Sequence, residues 1–512
     1  MGKYALLSVT DKTGIVEFGK KLANIGYTVL STGGTAKALR DGGVTVMDVS
    51  EFTGSPEILD GRVKTLHPKI HGAILFDRSN SDHIKQTKEL SIDAISVVAV
   101  NLYKFEENAV KGNLTREDAI EHIDIGGPCM LRASAKNWEH VLSVCDPSDY
   151  NWVTEKLANE TITKEDRLLL SRKTFELTSS YDMMISTFLA DSETKSVSLQ
   201  KESTLRYGEN PHQSANFYTF KGAPKTGFSD VKVIQGKELS YNNLIDLDGA
   251  CGLIREFHED MAVAVIKHTN PCGTAIALKG DTLKMVWEKA LSGDPKSAFG
   301  GIVATNVEID KETAEAMSSI FLECIAAPSY SKEALEVFSK KKNLRLLEAK
   351  WLVEAPEKEQ FLRSIQGGLL IQDRDTEVKR NENWKVVTEK KPDASLDKDL
   401  IFAFKVASHV KSNTIVYAKN GMTITVGAGQ MSRIDAAEFA ASKAKEEGKS
   451  LEGAVLASDA FFPFRDTVDL AAKFGIGAIV QPGGSIRDDE SIEACNEHGI
   501  TMLFTGERHF RH

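Results

Sequence analysis

The chain has 512 residues, 41% hydrophobic and 27% charged, too long for one core and ordinary for several globular domains. Its formal net charge of -10 at pH 7 argues against a protein that neutralises nucleic-acid phosphate, while leaving room for a local basic pocket that holds a small anion. No apolar run approaches the roughly 20 residues that span a bilayer. The cysteines Cys129, Cys145, Cys251, Cys272, Cys324 and Cys495 form no CxxC pair and no secretory leader precedes the first strand, so the expected setting is a reducing cytoplasm without disulfides or a zinc knuckle.

In chain order, Tyr4 to Val9 reads as a buried strand, Gly14 to Ile25 as a helix and Tyr27 to Ser31 as a second strand. Further strands are expected at Ala73 to Phe76, Ala94 to Val100 and Val141 to Val144, giving a doubly wound α/β domain over residues 1–145. Charged helical sequence from Pro147 to Asp191 leads into a polar linker, Ser192 to Ser203, so 146–200 is assigned as a helical extension with the main boundary at its end. Beyond it, a strand (Ala262 to Ile266), a helix (Thr282 to Leu291) and SAFGGIVATN at 297–306 are echoed by a strand (Gly453 to Ala457), a helix (Thr467 to Lys473) and GIGAIVQPGG at 475–484. This pattern predicts a degenerate duplication, with halves at 201–365 and 366–512 joined through the charged segment Ser331 to Lys391.

SVTDKTG (8–14) and STGGT (31–35) fall where adjacent strands meet helices, the place where free backbone amides attract phosphate in doubly wound folds. Neither is a Walker loop nor a GxGxxG turn, which argues against an NTPase or a dehydrogenase. GRVKTLHPKIHG (61–72) concentrates Arg62, Lys64, His67, Lys69 and His71, while IDIGGP (123–128) and LRASAKN (131–137) add Asp124, Gly126, Gly127 and Lys136. A carboxylate and two lysines beside an anion loop suit proton transfer in a dehydrative ring closure. In the second region Lys267 and His268 stand together at a strand end, a pairing of a near-neutral base with a cation for a developing oxyanion. Pro271 and Cys272 are followed by Gly273, Thr274 and Ala275 rather than a second Cys, so the zinc-deaminase ligand pattern is missing and no metal is expected.

Together SVTDKTG, STGGT, GRVKTLHPKIHG, NLY (101–103), IDIGGP and AKN resemble the cyclohydrolase part of the bifunctional AICAR transformylase/IMP cyclohydrolase family. RYGENPHQ (206–213), IKHTNPCG (266–273), SAFGGIVA (297–304), VKSNTIVYAKNG (410–421), GAGQMSRIDA (427–436) and SDAFFPFRD (458–466) resemble its transformylase part, in the same order. The resemblance implies a methylglyoxal-synthase-like N-terminal domain followed by two cytidine-deaminase-like α/β subdomains. It also implies formyl transfer from 10-formyltetrahydrofolate to an aminoimidazole carboxamide ribotide and closure of the product to inosine monophosphate. Lys267 and His268 would serve the transfer, and Lys64, Tyr103, Asp124 and Lys136 the closure. Nucleotide contacts would fall to Ser8, Lys12, Thr13, Gly14, Ser31, Gly33, Arg62, Thr65, Gly126 and Gly127 in the first domain, and to Arg206, Tyr207, Gly301, Asn413, Arg433, Phe461 and Arg508 in the second region, with folate on Phe464 and Asp466. A homodimer is the implied assembly. The alternative that the first domain is only an effector-binding module is disfavoured by its acid/base set.

Overall fold

The computed structural model describes residues 3–190, 195, 197–221, 225–375 and 377–512, so residues 192–194 and 196 of the expected linker lie outside the described residues. The chain divides into two compact units, Met1–Ser198 and Leu199–His512.

The first unit is a five-stranded sheet in the order Val46–Asp48, Thr28–Ser31, Tyr4–Ser8, Ile95–Val100, Leu142–Val144, parallel throughout. Its strands are apolar at consecutive positions because both faces are covered: Leu6 and Val98 face one core with Ile70, Ile74 and Leu131, while Ala5, Leu7 and Val97 face another with Ile15, Phe18 and Leu22. The chain order reverses direction across the sheet at Tyr4–Ser8, which opens a crevice at the carboxyl ends of that strand and its neighbours.

One local expectation fails here, and one strand carried none. The apolar run 73–76 is not a strand but the end of the helix Pro68–Leu75, started by His67, whose Nδ1 accepts from the Lys69 amide at 3.1 Å, with Pro68 in the first turn. Ile70, Ala73 and Ile74 are buried at helical spacing, a period that a four-residue window cannot reveal. The short strand Val46–Asp48 went unread. The sequence after Pro147 forms the helices Tyr150–Ala158 and Lys164–Leu189, the second begun by a capping box between Thr163 and Asp166. Tyr150, Val153, Leu170 and Tyr181 from these helices join the two cores of the first unit.

The second unit is built on a 12-stranded mixed sheet whose halves repeat one another. Across the first half the order is Asn270–Ile276, Ala262–Lys267, Gly301–Thr305, Leu322–Ala327, Arg345–Glu348, Lys232–Gln235. The second half runs Met422–Gly427, Ile415–Lys419, Val455–Ser458, Ala478–Gln481, Thr501–Phe504, Lys385–Val386, rank for rank the same. Each half opens with an antiparallel hairpin, continues with three mutually parallel strands and closes on an antiparallel edge. The halves join where Ala275 pairs with Met422. Preceding each hairpin is a helix, Tyr241–Arg255 or Ala394–Ala407, and both contribute to one shared core. The segment expected to join the halves is shorter than 331–391, because the helix Lys332–Phe338 and the strand Arg345–Glu348 complete the first half. Between the halves an exposed hairpin, Gln360–Ile365 with Gly368–Asp373, turns through Gly367 at φ 74°.

Candidate active sites

At the carboxyl ends of the first unit's strands the loops after Ser8 and Ser31 converge. Gly14, at φ 70°, turns the first loop into the helix Ile15–Asn24. Asp11 holds that loop by accepting from the Thr13 amide and hydroxyl at 2.9 and 2.7 Å, bonds that keep its carboxyl below the usual range. Asn101, at the end of the strand Ile95–Val100, accepts from the Thr10 and Asp11 amides at 2.6 and 3.0 Å and so fixes the loop to the neighbouring strand. The helix Gly33–Asp41 starts beside it with no side chain capping its first amides. Lys64 Nζ lies 3.8 Å from where a Cβ on Gly33 would stand, and Lys12 Cε the same distance from one on Gly34. Two ammonium groups over the uncapped N-terminus of a helix make an anion cradle.

Lys64 is also paired with Glu57 at 2.9 Å. Thr65 is buried, with its Oγ1 3.0 Å from a Cβ position on Gly126, so the basic segment and the helix Gly126–Lys136 meet at that helix's start. Asp124 Oδ1 accepts from the Gly127 amide at 2.9 Å, and the Asp124 amide donates to Tyr181 Oη at 2.8 Å. Burial raises the Asp124 pKa above its usual value, opposed by the amides of Gly127 and Tyr103. Tyr103 is half exposed near this carboxyl, and Ser8 ends its strand half-buried. Arg62 is exposed and paired with Glu121.

Two assigned residues are engaged elsewhere in the fold. Ser31 is fully buried and donates to the Leu7 carbonyl at 2.7 Å, so its hydroxyl ties two strands together. Lys136 ends the helix that Gly126 begins, roughly 15 Å further along its axis at about 1.5 Å per residue. There it lines a depression with Leu75, Arg132, Trp138 and Phe175. Thr35 went unread: its hydroxyl bonds both the amide and the carbonyl of Val9, at 3.0 and 2.9 Å.

In the second unit Lys267 ends its strand and donates from Nζ to the Phe299 carbonyl at 2.9 Å, while His268 is exposed in the following turn. Asn270 links this turn to the other half by accepting from the Lys411 amide at 3.1 Å. Asn413 lies two residues on, its Nδ2 donating to the carbonyls of Gln430 and Met431 at 3.0 and 3.1 Å. The chain end closes over the same loop: the His509 amide donates to the Asp459 carbonyl at 3.0 Å, and Ser412 exchanges bonds with Arg511. The last residues are therefore threaded in. Arg206 donates to Tyr207 Oη at 2.7 Å with its guanidinium over the same ring, and the loop after it is held by Asn242 through the Glu209 carbonyl.

Phe461 and Phe464 are exposed and Phe462 is fully buried, so the first two are free for stacking and the third is core. The Arg487 guanidinium lies 4.9 Å from the Phe464 ring centre. Arg508 is exposed against Phe510, and Asp466 opens the helix Asp466–Lys473 with Oδ1 on the Thr467 amide. Arg433 is buried, bonded to Asp459 at 2.5 Å, Ser458 at 3.1 Å and Asn413 at 2.9 Å, so its fork orders the loop. Gly301 is likewise structural: a Cβ there would stand 3.0 Å from the Ile266 and Ala298 carbonyls, where its strand packs beside the one carrying Lys267. Burial pushes the Cys272 thiol up to about 12, away from nucleophilic use. Among the described residues no three His, Cys, Asp or Glu side chains gather as a metal site, and no described helix is long and apolar enough to cross a membrane.

The model of the AICARFT/IMPCHase bienzyme family matches residues 134–443, and that of the MGS-like domain matches 14–129. The chain belongs to the AICARFT/IMPCHase bienzyme family. Bifunctional purine biosynthesis protein PurH of Persephonella marina is 50% identical, with all of both chains covered. The proteins of that name from Acetivibrio thermocellus and Anoxybacillus flavithermus are each 49% identical, again with full coverage. As a bienzyme of this family the chain carries an MGS-like first domain and two activities of purine biosynthesis, AICAR formyltransferase and IMP cyclohydrolase. The doubly wound parallel sheet and the large mixed sheet are the folds on which those parts rest.

Proposed function

We propose that each unit carries one step. In the second unit the ribotide amine attacks the formyl carbon of 10-formyltetrahydrofolate, His268 takes the amine proton, and Lys267 stabilises the oxyanion until the bond to the folate nitrogen breaks and that nitrogen takes the proton held by His268. The observation that carries this reading is the placement of Lys267 and His268 at a hairpin that Asn270 ties to the loop of Asn413, with the exposed rings of Phe461 and Phe464 in the same unit to stack on flat heterocycles. Arg206, Tyr207, Asn413 and Arg508 would hold the ribotide, and Phe464 with Asp466 the folate.

In the first unit the phosphate of the formylated ribotide lies on the amides of Gly33 and Gly34 between Lys12 and Lys64, with Thr13, Gly14, Arg62, Thr65, Gly126 and Gly127 around the rest. The carboxamide nitrogen attacks the formyl carbon and gives its proton to Asp124. Lys64 and Tyr103 stabilise the alkoxide, which takes that proton back to become a hydroxyl; the former formamide N–H then gives up its proton to this oxygen as the C–O bond breaks, so water leaves and the ring C=N forms. Lys136 and Ser31 have no part in this step.

Neither step routes through a metal in this reading, since the nucleophiles are nitrogens already on the substrates. The setting is cytoplasmic, and the assembly is a homodimer, which the exposed Phe361, Leu369, Leu370 and Ile371 of the projecting hairpin favour. The test is Lys267→Ala assayed on each step separately. Formyl transfer should fall about 100- to 1000-fold, with closure of supplied formyl ribotide retained; an equal loss on both steps contradicts the assignment.

A further inference from the structure

The two halves of the second unit place the same hairpin at the same point, and they differ in what it carries. In the second half the turn between Lys419 and Met422 is Asn420-Gly421, with φ of 54° and 67°. This is the pair that a two-residue turn with both loop residues at positive φ prefers. In the first half the turn between Lys267 and Asn270 has the same form, yet its loop residues are His268 and Thr269, at φ 52° and 64°. A β-branched residue at positive φ is an outlier that persists only where the surroundings hold it.

Those surroundings are also duplicated. Asp399, on the helix before the second hairpin, accepts from the Asn420 and Gly421 amides at 2.8 Å each. Asp246, at the same position of the first helix, accepts from the His268 amide at 3.3 Å and the Thr269 amide at 2.7 Å. Both lysines donate to a carbonyl just ahead of the next strand, Lys267 to Phe299 at 2.9 Å and Lys419 to Glu452 at 2.7 Å. The second half thus preserves the unstrained version of a device that the first half uses under strain.

We propose that Asp246 is a positioning residue for formyl transfer: its carboxylate clamps the His268-Thr269 turn and so holds the Lys267 ammonium and the His268 imidazole in their reacting places. The inference rests on the assignment of those two side chains to that step. Asp246 itself touches no substrate. In the second half the Asn-Gly turn is favoured without help, so Asp399 contributes to folding alone.

The experiment compares Asp246→Asn, Asp399→Asn and Asp246→Asn with Thr269→Gly, in the full chain. Asp246→Asn should lower kcat for formyl transfer about 10- to 100-fold, the scale of a misplacement near 1 Å. KM for the ribotide should change less than about threefold, because the clamp positions the reacting groups and not the bound substrate. Hydrogen exchange should quicken in the 262–276 segment, and closure in the first unit should be untouched. Adding Thr269→Gly removes the strain that the clamp opposes and should restore most of kcat. Asp399→Asn should leave formyl-transfer kcat within about twofold, the size of effect expected for a structural change away from the reacting groups. The proposal is overturned if Asp246→Asn and Asp399→Asn reduce kcat equally, if Thr269→Gly rescues nothing, or if exchange quickens in 262–276 while kcat holds. Failure of the underlying assignment would look different, since Lys267→Ala and His268→Ala would then leave formyl transfer intact whatever Asp246→Asn does.

Discussion

Replacing Asp124 with Asn separates chemistry from stability at one half-buried carboxyl. The Asp124 side chain accepts from the Gly127 amide at 2.9 Å, a bond that an Asn carbonyl oxygen keeps, and the Asp124 main-chain bond to Tyr181 at 2.8 Å is unchanged by the substitution. What is lost is the proton acceptor, with one carboxylate oxygen of the two that the Gly127 and Tyr103 amides favour, and positioned acid/base groups contribute about 100- to 10,000-fold. Closure of supplied formyl ribotide should fall by that order, with formyl transfer unaffected. Burial raises the Asp124 pKa in the folded chain, so its ionised form is disfavoured there. The sign is set by linkage: the relative stability of the protonated carboxyl is fully present below the unfolded value of about 3.9 and is lost as pH rises through the higher folded value. Above that window the wild-type chain carries a penalty that the amide does not. Thermal denaturation should therefore show the Asn variant gaining on wild type as pH rises from 3 to 7, with no drop in Tm at neutral pH. Closure within threefold of wild type, or a clear loss of Tm at pH 7, would refute the reasoning.

The remaining expectations concern the division of labour. A fragment ending at Ser198 should close formyl ribotide and fail to make it, since the first unit contains both cores of its sheet and none of the Lys267 hairpin; formylation by that fragment, measured from ribotide and 10-formyltetrahydrofolate, would contradict the assignment. Lys136→Ala should leave closure within about threefold, because the far end of its helix lies roughly 15 Å from Gly126; a loss of the order seen for a general acid would return this lysine to the site. Protein dialysed against a strong chelator should keep both activities, and inactivation reversed by stoichiometric zinc would overturn the proposed formyl-transfer chemistry.

Much of the fold was legible because the strongest signals are local. Buried apolar strands ending in Ser, Thr and Gly gave the first unit's crevice, and the recurrence of strand, polar turn, helix and strand gave the duplication. The helix Pro68–Leu75 was misread because four apolar residues carry no period of their own. Burial sets what the fold shows of some residues that the family resemblance assigns to nucleotide contacts: the Ser31 hydroxyl lies on the Leu7 carbonyl, the Arg433 guanidinium on Asp459 and Gly301 against the Ile266 carbonyl. Lys136 ends the helix that Gly126 begins, so its proximity in sequence to Asp124 becomes distance along a helix. Asn101 lay within the NLY run, and a polar side chain at a strand end beside an anion loop was the available signal. Asp246 had none: only its match with Asp399 across the duplicated halves makes it visible.

The most direct test of the account is to incubate the purified chain with the ribotide and 10-formyltetrahydrofolate and to follow both products. Wild-type protein should form inosine monophosphate, Lys267→Ala should form neither product, and Asp124→Asn should accumulate the formylated ribotide. Inosine monophosphate made at wild-type rate by the Lys267→Ala chain, or no accumulation with Asp124→Asn, would contradict the claim that the two units perform successive steps with these residues.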